Sequence, residues 1–145
     1  MVGKPYEWSH GATLEEHSKR KLKILREYFI RYLAVRCQLP QQSRFRLAIV
    51  EGFAGGGRYN CGTPGSPLIF IEELRNAAQT FNIKRRAEGM AALDIECFLI
   101  LNDANRDAIE ALRANIAPLV AAAKDTASRL HLKIEYRNAE FEAIY

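Results

Sequence analysis

Residues 45–57 read FRLAIVEGFAGGG, an apolar run that ends in a glutamate and is followed at once by a cluster of glycines. A short continuous apolar run bounded by turn residues is typical of a buried strand in a parallel sheet. In open sheets of this class, ligands bind beyond the carboxyl ends of the strands. The glycine cluster, where backbone can approach a ligand closely, is therefore the first candidate for a binding site.

Helices and strands alternate outward from that stretch. Thr13-Leu14-Glu15-Glu16 is a capping-box pattern, and it predicts a helix over residues 13–39. Ser66 suits an N-cap and Pro67 the first helical position, which predicts a helix from Pro67 to about Gln79. Residues 82–93 are predicted to form a polar segment before the next strand, which covers 95–101. A helix is predicted from about 108 to near Leu130, with a kink or restart at Pro118. The last predicted element is a strand over 132–136.

This order predicts an α/β fold with a parallel sheet, in one domain covering residues 1–145. The proportions of hydrophobic residues, 48%, and charged residues, 26%, exclude a disordered chain. Three strands are only half of a doubly wound sheet, so we expect an incomplete domain with an open strand edge. The helix over 13–39 should pack on the sheet, and its second apolar stripe, Ile24, Tyr28 and Val35, indicates a cover on two sides.

Composition also bears on location and partners. No apolar stretch approaches the ~20 residues of a membrane span, and the start has no secretory signal pattern. The spacing of Cys37, Cys61 and Cys97 predicts reduced thiols in a cytoplasmic protein, with no metal site. The first 46 residues hold ten Lys or Arg against four Asp or Glu, which leaves open a nucleic-acid partner or a solvated basic face.

The glycine cluster does not fit two familiar phosphate-binding motifs. Residues 55–60, GGGRYN, place asparagine at the third glycine position of a dinucleotide fingerprint. Nine residues also separate Gly57 from Pro67, whereas that fingerprint runs straight into its helix. No Gly-Lys-Ser/Thr follows, which excludes a P-loop.

Residues 50–59, VEGFAGGGRY, and 62–68, GTPGSPL, resemble the signature of the three-Cys-motif partner family, a group within the S-adenosylmethionine-dependent methyltransferase superfamily. Trp8, His17, Lys19 and residues 25–28 resemble that family's N-terminal helix. The resemblance implies a Rossmann-like methyltransferase fold, of which this chain would hold the first three βα units and an N-terminal helix. It also implies S-adenosylmethionine as cofactor.

The resemblance also implies roles for individual residues. Glu51 and the loop after it would line the methionine end of the cofactor, and Asp103 would accept hydrogen bonds from the ribose hydroxyls. Asn138, Ala139 and Glu140 would border the adenine, with Phe141 as an apolar wall. The full set of predicted cofactor-binding residues is Glu51, Gly52, Phe53, Ala54, Gly55, Gly57, Asp103, Asn138, Ala139 and Glu140.

Several of these residues have structural alternatives. Asp103 is alternatively a helix N-cap, Glu140 the start of a further helix, and Phe53 an anchor in the core or the loop. No catalytic residue is assigned, because the motifs that follow the later strands of methyltransferases do not occur in these 145 residues. Methyl transfer would then need a C-terminal half or a partner chain to complete the domain.

Two other functions stay open at this point. The first is a non-catalytic interaction module that associates with itself or with a partner protein, as the second stripe of the first helix indicates. The second is nucleic-acid binding through the basic side chains of that helix, Lys19, Arg20, Lys23 and Arg31.

Overall fold

The computed structural model describes residues 13–140. Helices and strands alternate through that range as α1 (Glu16–Arg36), β1 (Arg44–Glu51), α2 (Ser66–Ala87), β2 (Asp94–Asn102), α3 (Arg106–Thr126) and β3 (Leu130–Arg137). The strands form one parallel sheet in the order β1-β2-β3. The predicted α/β class and parallel sheet are therefore confirmed, and the arrangement is compatible with a Rossmann-like succession of βα units.

One face of the sheet forms the core. In the central strand β2, alternate side chains are almost fully buried: Ile95, Cys97, Leu99 and Leu101. They pack beneath α2 and α3, which contribute, among others, Leu68, Ile71, Leu74, Leu112 and Ile116. Because burying one such side chain is worth about 1.5–3 kcal/mol, this layer is a main source of the stability of the fold.

The opposite face of the sheet is open within residues 13–140. Ala48 and Val50 of β1 are exposed there, and Phe98 and Ile100 of β2 are half-buried. No described helix packs on these side chains. Within residues 13–140 the sheet is thus covered on one side only.

Helix α1 differs from its prediction at both ends. It begins at Glu16 rather than at residue 13, with Glu15 as its N-cap, and it ends at Arg36 rather than at residue 39. The capping-box prediction is wrong, because no side chain caps the helix and the Thr13 hydroxyl instead accepts a hydrogen bond from Asn60 Nδ2 at 3.1 Å.

Helix α1 packs chiefly on α2, and it contacts the sheet near the start of β1. The Phe29 ring packs edge-on against Phe70 of α2, with the ring centroids 4.9 Å apart. The centroids of the Tyr32 ring and the Phe45 ring of β1 are 6.2 Å apart. The second apolar stripe of α1 has no cover within residues 13–140. Ile24 and Tyr28 are each 64% exposed, and Val35 is 62% exposed.

The second helix is longer than predicted. Helix α2 continues to Ala87, so the prediction of a polar segment over 82–93 is wrong for residues 82–87, which are helical. Arg85 explains the extension: it is 4% exposed and donates hydrogen bonds to the carbonyl groups of Leu39, Gln42 and Ala91. Basic residues suit the last turn of a helix.

Helix α3 runs without a restart from Arg106 to Thr126, with Pro118 inside it. The predicted end near Leu130 is wrong, because Leu130 begins β3. Pro118 and Ala114, one turn earlier, are both exposed. Water can therefore bond the Ala114 carbonyl that the proline leaves unpaired.

Candidate functional site

The carboxyl ends of the three strands meet at one edge of the sheet. Glu51 ends β1 and the glycine-rich loop follows it, Asp103 follows β2, and residues 138–140 follow β3. The structure therefore brings the predicted cofactor-binding residues to the same edge. Only Phe141, the predicted apolar wall, lies outside the described residues.

Asn102, the last residue of β2, joins all three segments. Its side chain is fully buried, and its Nδ2 donates to the carbonyl groups of Gly52 at 3.0 Å and Ala139 at 2.8 Å. Its Oδ1 accepts from the Ala139 amide at 3.0 Å, and its own carbonyl accepts from the Ala54 amide at 2.8 Å. Asn102 is not among the residues predicted from the sequence to form the site. The available signal was a single polar side chain at the end of a buried apolar strand.

Asp103 holds the glycine loop and the start of α3. Its Oδ2 accepts from the Gly55 amide at 2.9 Å, and its Oδ1 accepts from the Asn105 amide at 2.9 Å. The alternative interpretation of Asp103 as an N-cap is wrong, because Asn105 caps α3 by accepting from the amides of Asp107 and Ala108. Each carboxylate oxygen of Asp103 retains a lone pair for a further donor.

The glycine loop is shaped by backbone conformation and by close packing. Gly57 has φ of 94°, and its carbonyl accepts from the Gly65 amide at 2.6 Å. A Cβ atom at Gly57 would lie 3.0 Å from Leu68 Cδ1 and 3.1 Å from Leu112 Cδ1. Gly57 is therefore needed for the loop to pack on α2 and α3, whether or not a ligand is bound.

Glu51 carries an unpaired buried oxygen. Its Oε2 accepts from the Ser66 hydroxyl at 2.5 Å, whereas its Oε1 is buried with no hydrogen-bond partner among the described residues. The N-cap prediction for Ser66 is wrong, because Gly65 holds that position and the Ser66 side chain is turned to Glu51. Burial raises the pKa of Glu51 from 4.5 to about 7, against the opposing effect of the Ser66 hydrogen bond.

This pKa predicts a pH-dependent stability. Between pH 4.5 and about 7 the folded protein retains a proton on Glu51 that the unfolded chain has lost, so stability falls as pH rises through this window. We expect urea unfolding to show that the wild type loses about 3 kcal/mol relative to Glu51→Gln over the window, with a constant difference above it. A difference independent of pH would contradict the raised pKa, and the histidines cancel because both proteins contain them.

The remaining predicted site residues follow β1 and β3 at the same edge of the sheet: Phe53, Asn138, Ala139 and Glu140. Phe53 is 76% exposed, so its interpretation as a core residue is wrong. Asn138 Nδ2 donates to the carbonyl groups of Asp103 at 2.9 Å and Ala104 at 3.0 Å, which fixes the amide and leaves its oxygen as an acceptor. Ala139 is half-buried and Glu140 is exposed. Residues 141–145 lie outside the described residues, so the alternative of a helix that starts at Glu140 stays a prediction.

The three cysteines differ in exposure. Cys37 and Cys97 are buried free thiols, and burial raises their pKa values to about 11 and about 12. Cys61 is an exposed free thiol, and its hydrogen bond with Thr63 lowers its pKa. Across residues 13–140, no three His, Cys, Asp or Glu side chains are grouped so that they could hold a metal ion.

Two other features bear on the partners considered from the sequence. The four basic side chains of α1 considered for nucleic-acid binding are exposed: Lys19, Arg20, Lys23 and Arg31. His17 is also exposed and pairs with Glu15 at 3.3 Å. Of the helices in the described part of the chain, none has the length and apolar character needed to cross a membrane.

The fold and the site together define an α/β domain with a glycine-rich loop after its first strand and polar residues after the next two. Comparisons with protein-family models, with curated proteins and with solved structures found no match. The likeness to the three-Cys-motif partner family therefore stays a prediction that rests on the residues quoted above.

Proposed function

We propose that this chain binds S-adenosylmethionine at the carboxyl edge of its sheet, as the cofactor-binding half of a Rossmann-like methyltransferase domain in the cytoplasm. The observation that carries the proposal is the unpaired, buried oxygen of Glu51 beside a glycine loop that Asn102 and Asp103 hold in place. A buried carboxylate oxygen without a donor is costly unless a ligand supplies one.

The amino-acid end of the cofactor fits this part of the edge. Its ammonium group is a strong donor to Glu51, and a charge-assisted hydrogen bond of this kind is short and about twice as strong as a neutral one. Gly52, Ala54, Gly55 and Gly57 are all buried and bring backbone close to the same place. Phe53, exposed at the loop, would cover the ligand from the solvent side.

The nucleoside end fits the ends of β2 and β3. The carboxylate of Asp103 is held rigidly by two backbone amides, and its free lone pairs would accept from the ribose hydroxyl groups. The Asn138 oxygen would accept from the adenine amino group, because the amide nitrogen is already held by two carbonyl groups. Ala139 and Glu140 would flank the ring.

When bound, S-adenosylmethionine supplies an electrophilic methyl group on its sulfonium. We assign no residue of this chain to the transfer itself, so catalysis would depend on a C-terminal half or on a partner chain. The methyl acceptor is likewise left unassigned.

Equilibrium dialysis with two related ligands tests the assignment of the two ends. S-adenosylhomocysteine has the amino-acid end, whereas methylthioadenosine lacks it. At pH 8, where Glu51 is charged, we expect Glu51→Gln to weaken S-adenosylhomocysteine about tenfold and to leave methylthioadenosine unchanged. Asp103→Asn should weaken both ligands, because both carry the ribose.

Asp125→Asn is the matched control, since Asp125 is an exposed carboxylate at the far end of α3. It should change neither affinity. Equal effects of Glu51→Gln on the two ligands, in variants with native circular dichroism, would count against the proposed orientation.

A second candidate function, a self-associating module, is favoured by the exposed stripe of α1 and by the outer edge of β1, with which no strand in residues 13–140 pairs. It is an alternative to completion of the sheet by a C-terminal half, because the fourth strand of a doubly wound sheet would pair with this same edge of β1.

A further inference from the structure

The outer edge of β1 is an unprotected strand edge. Among residues 13–140, no strand pairs with it. It is eight residues long, and its centre, residues 47–50, has no charge, proline or bulge. The opposite edge strand, β3, carries His131, Lys133, Glu135 and Arg137 on alternate positions. Charges of this kind protect a strand edge against pairing. Those of β1, Arg44, Arg46 and Glu51, lie toward its two ends and leave its centre without one.

The apolar stripe of α1 lies beside this same edge. The helices follow the order of the strands, with α2 between α1 and α3, so α1 is the outer helix on the β1 side. Phe29 and Leu33 point into the core. Because a helix turns by about 100° per residue, the Tyr32 side chain lies about 60° around the helix axis from Phe29, on the side of Phe45. The stripe residues lie further around the helix axis in the same direction: Tyr28, Val35 and Ile24. The stripe therefore faces the space next to β1.

We propose that two copies of this chain pair through their β1 strands, antiparallel, to form one continuous six-stranded sheet whose added strand lies beneath the α1 stripe of the other copy. Each copy thus provides what the other lacks, a strand for its open edge and an apolar cover for its helix.

The sequence of β1 is self-complementary in this arrangement. Pairing centred on Ala48 sets Leu47 opposite Ile49 on the helix side, and Arg46 opposite Val50 on the open side. Ala48 then meets its own copy at the symmetry axis, where a small side chain permits close approach. The two Arg46 residues are about 14 Å apart, beyond the Debye length at physiological salt.

The area available is sufficient for a specific dimer. An eight-residue strand and a 21-residue helix are about 26 Å and 32 Å long. A strip about 10 Å wide along each amounts to roughly 600 Å² per copy, the lower end of specific protein interfaces. We therefore expect a dimer that dissociates in the micromolar range.

Sedimentation equilibrium of the full chain tests the association, with substitutions at the axis. The wild type should be a concentration-dependent dimer. Ala48→Lys places two like charges opposite each other and should weaken the dimer at least about tenfold, whereas Ala48→Thr, uncharged and well suited to a strand, should retain it. Ala48 is exposed in the single chain, so both variants should fold.

Cross-linking locates the interface independently. In a Cys61→Ser background, which removes the one exposed thiol, Ala48→Cys should be joined across the axis by a short bismaleimide. Lys133→Cys, an exposed position on the other edge strand, should not. A chain that is monomeric at all concentrations would overturn the proposal, and so would a dimer that is insensitive to Ala48→Lys and does not cross-link at residue 48.

Discussion

Replacing Asn102 with leucine is expected to lower the free energy of unfolding by about 5 kcal/mol, near the whole stability of a small domain. The side chain is fully buried, and it satisfies the carbonyl groups of Gly52 and Ala139 and the amide of Ala139. Leucine has a similar size but no polar atoms, so these three backbone groups would be left unpaired at the junction of three segments.

Urea unfolding followed by circular dichroism measures this loss. Asn115→Leu is the graded control, because Asn115 makes a single side-chain hydrogen bond, to the Gly56 carbonyl at 2.8 Å. We expect that variant to lose about 1 kcal/mol. An Asn102→Leu variant no less stable than Asn115→Leu would show that Asn102 does not organise the edge.

Gly57→Ala is expected to destabilise the protein by about 4 kcal/mol, through two effects that add. A φ of 94° strains any residue with a Cβ, at about 1–2 kcal/mol. The new Cβ would also press on Leu68, Leu112 and Asn115 at 3.0, 3.1 and 3.2 Å. Both leucines are fully buried and cannot move aside cheaply, so overpacking adds about 1–3 kcal/mol.

Gly62→Ala separates the two effects. Gly62 has a similar φ, 87°, but a Cβ there would have nothing within 4 Å. It should lose only the strain, about 1 kcal/mol. If thermal or urea unfolding gave the same loss for both alanine variants, close packing of the loop at Gly57 would be refuted.

The fold could be predicted from the sequence where hydrophobic pattern alone decides it. The apolar runs of β1 and β2 predicted both strands, and their positions agree with the structure. Within the described residues, however, β1 is a half-exposed edge strand rather than a buried one. The helix boundaries failed where a distant contact decides them. Arg85 keeps α2 helical by reaching carbonyl groups in the segment before β1, and Thr13 is drawn to Asn60 instead of to its own helix.

The candidate site was predicted in its location but not in its interactions. The rule that parallel strands end at one edge brought Glu51, Asp103 and Asn138 together. It could not show that Ser66 would contact Glu51, because that contact depends on how the 14 intervening residues fold back. Nor could it show that Asn102, rather than any glycine, ties the three segments to one another.

Isothermal titration calorimetry of the full chain with S-adenosylmethionine and S-adenosylhomocysteine tests the central claim most directly. We expect saturable heat with one site per chain for each ligand, and competition between the two. A well-folded sample that gives no heat of binding at millimolar ligand would contradict it.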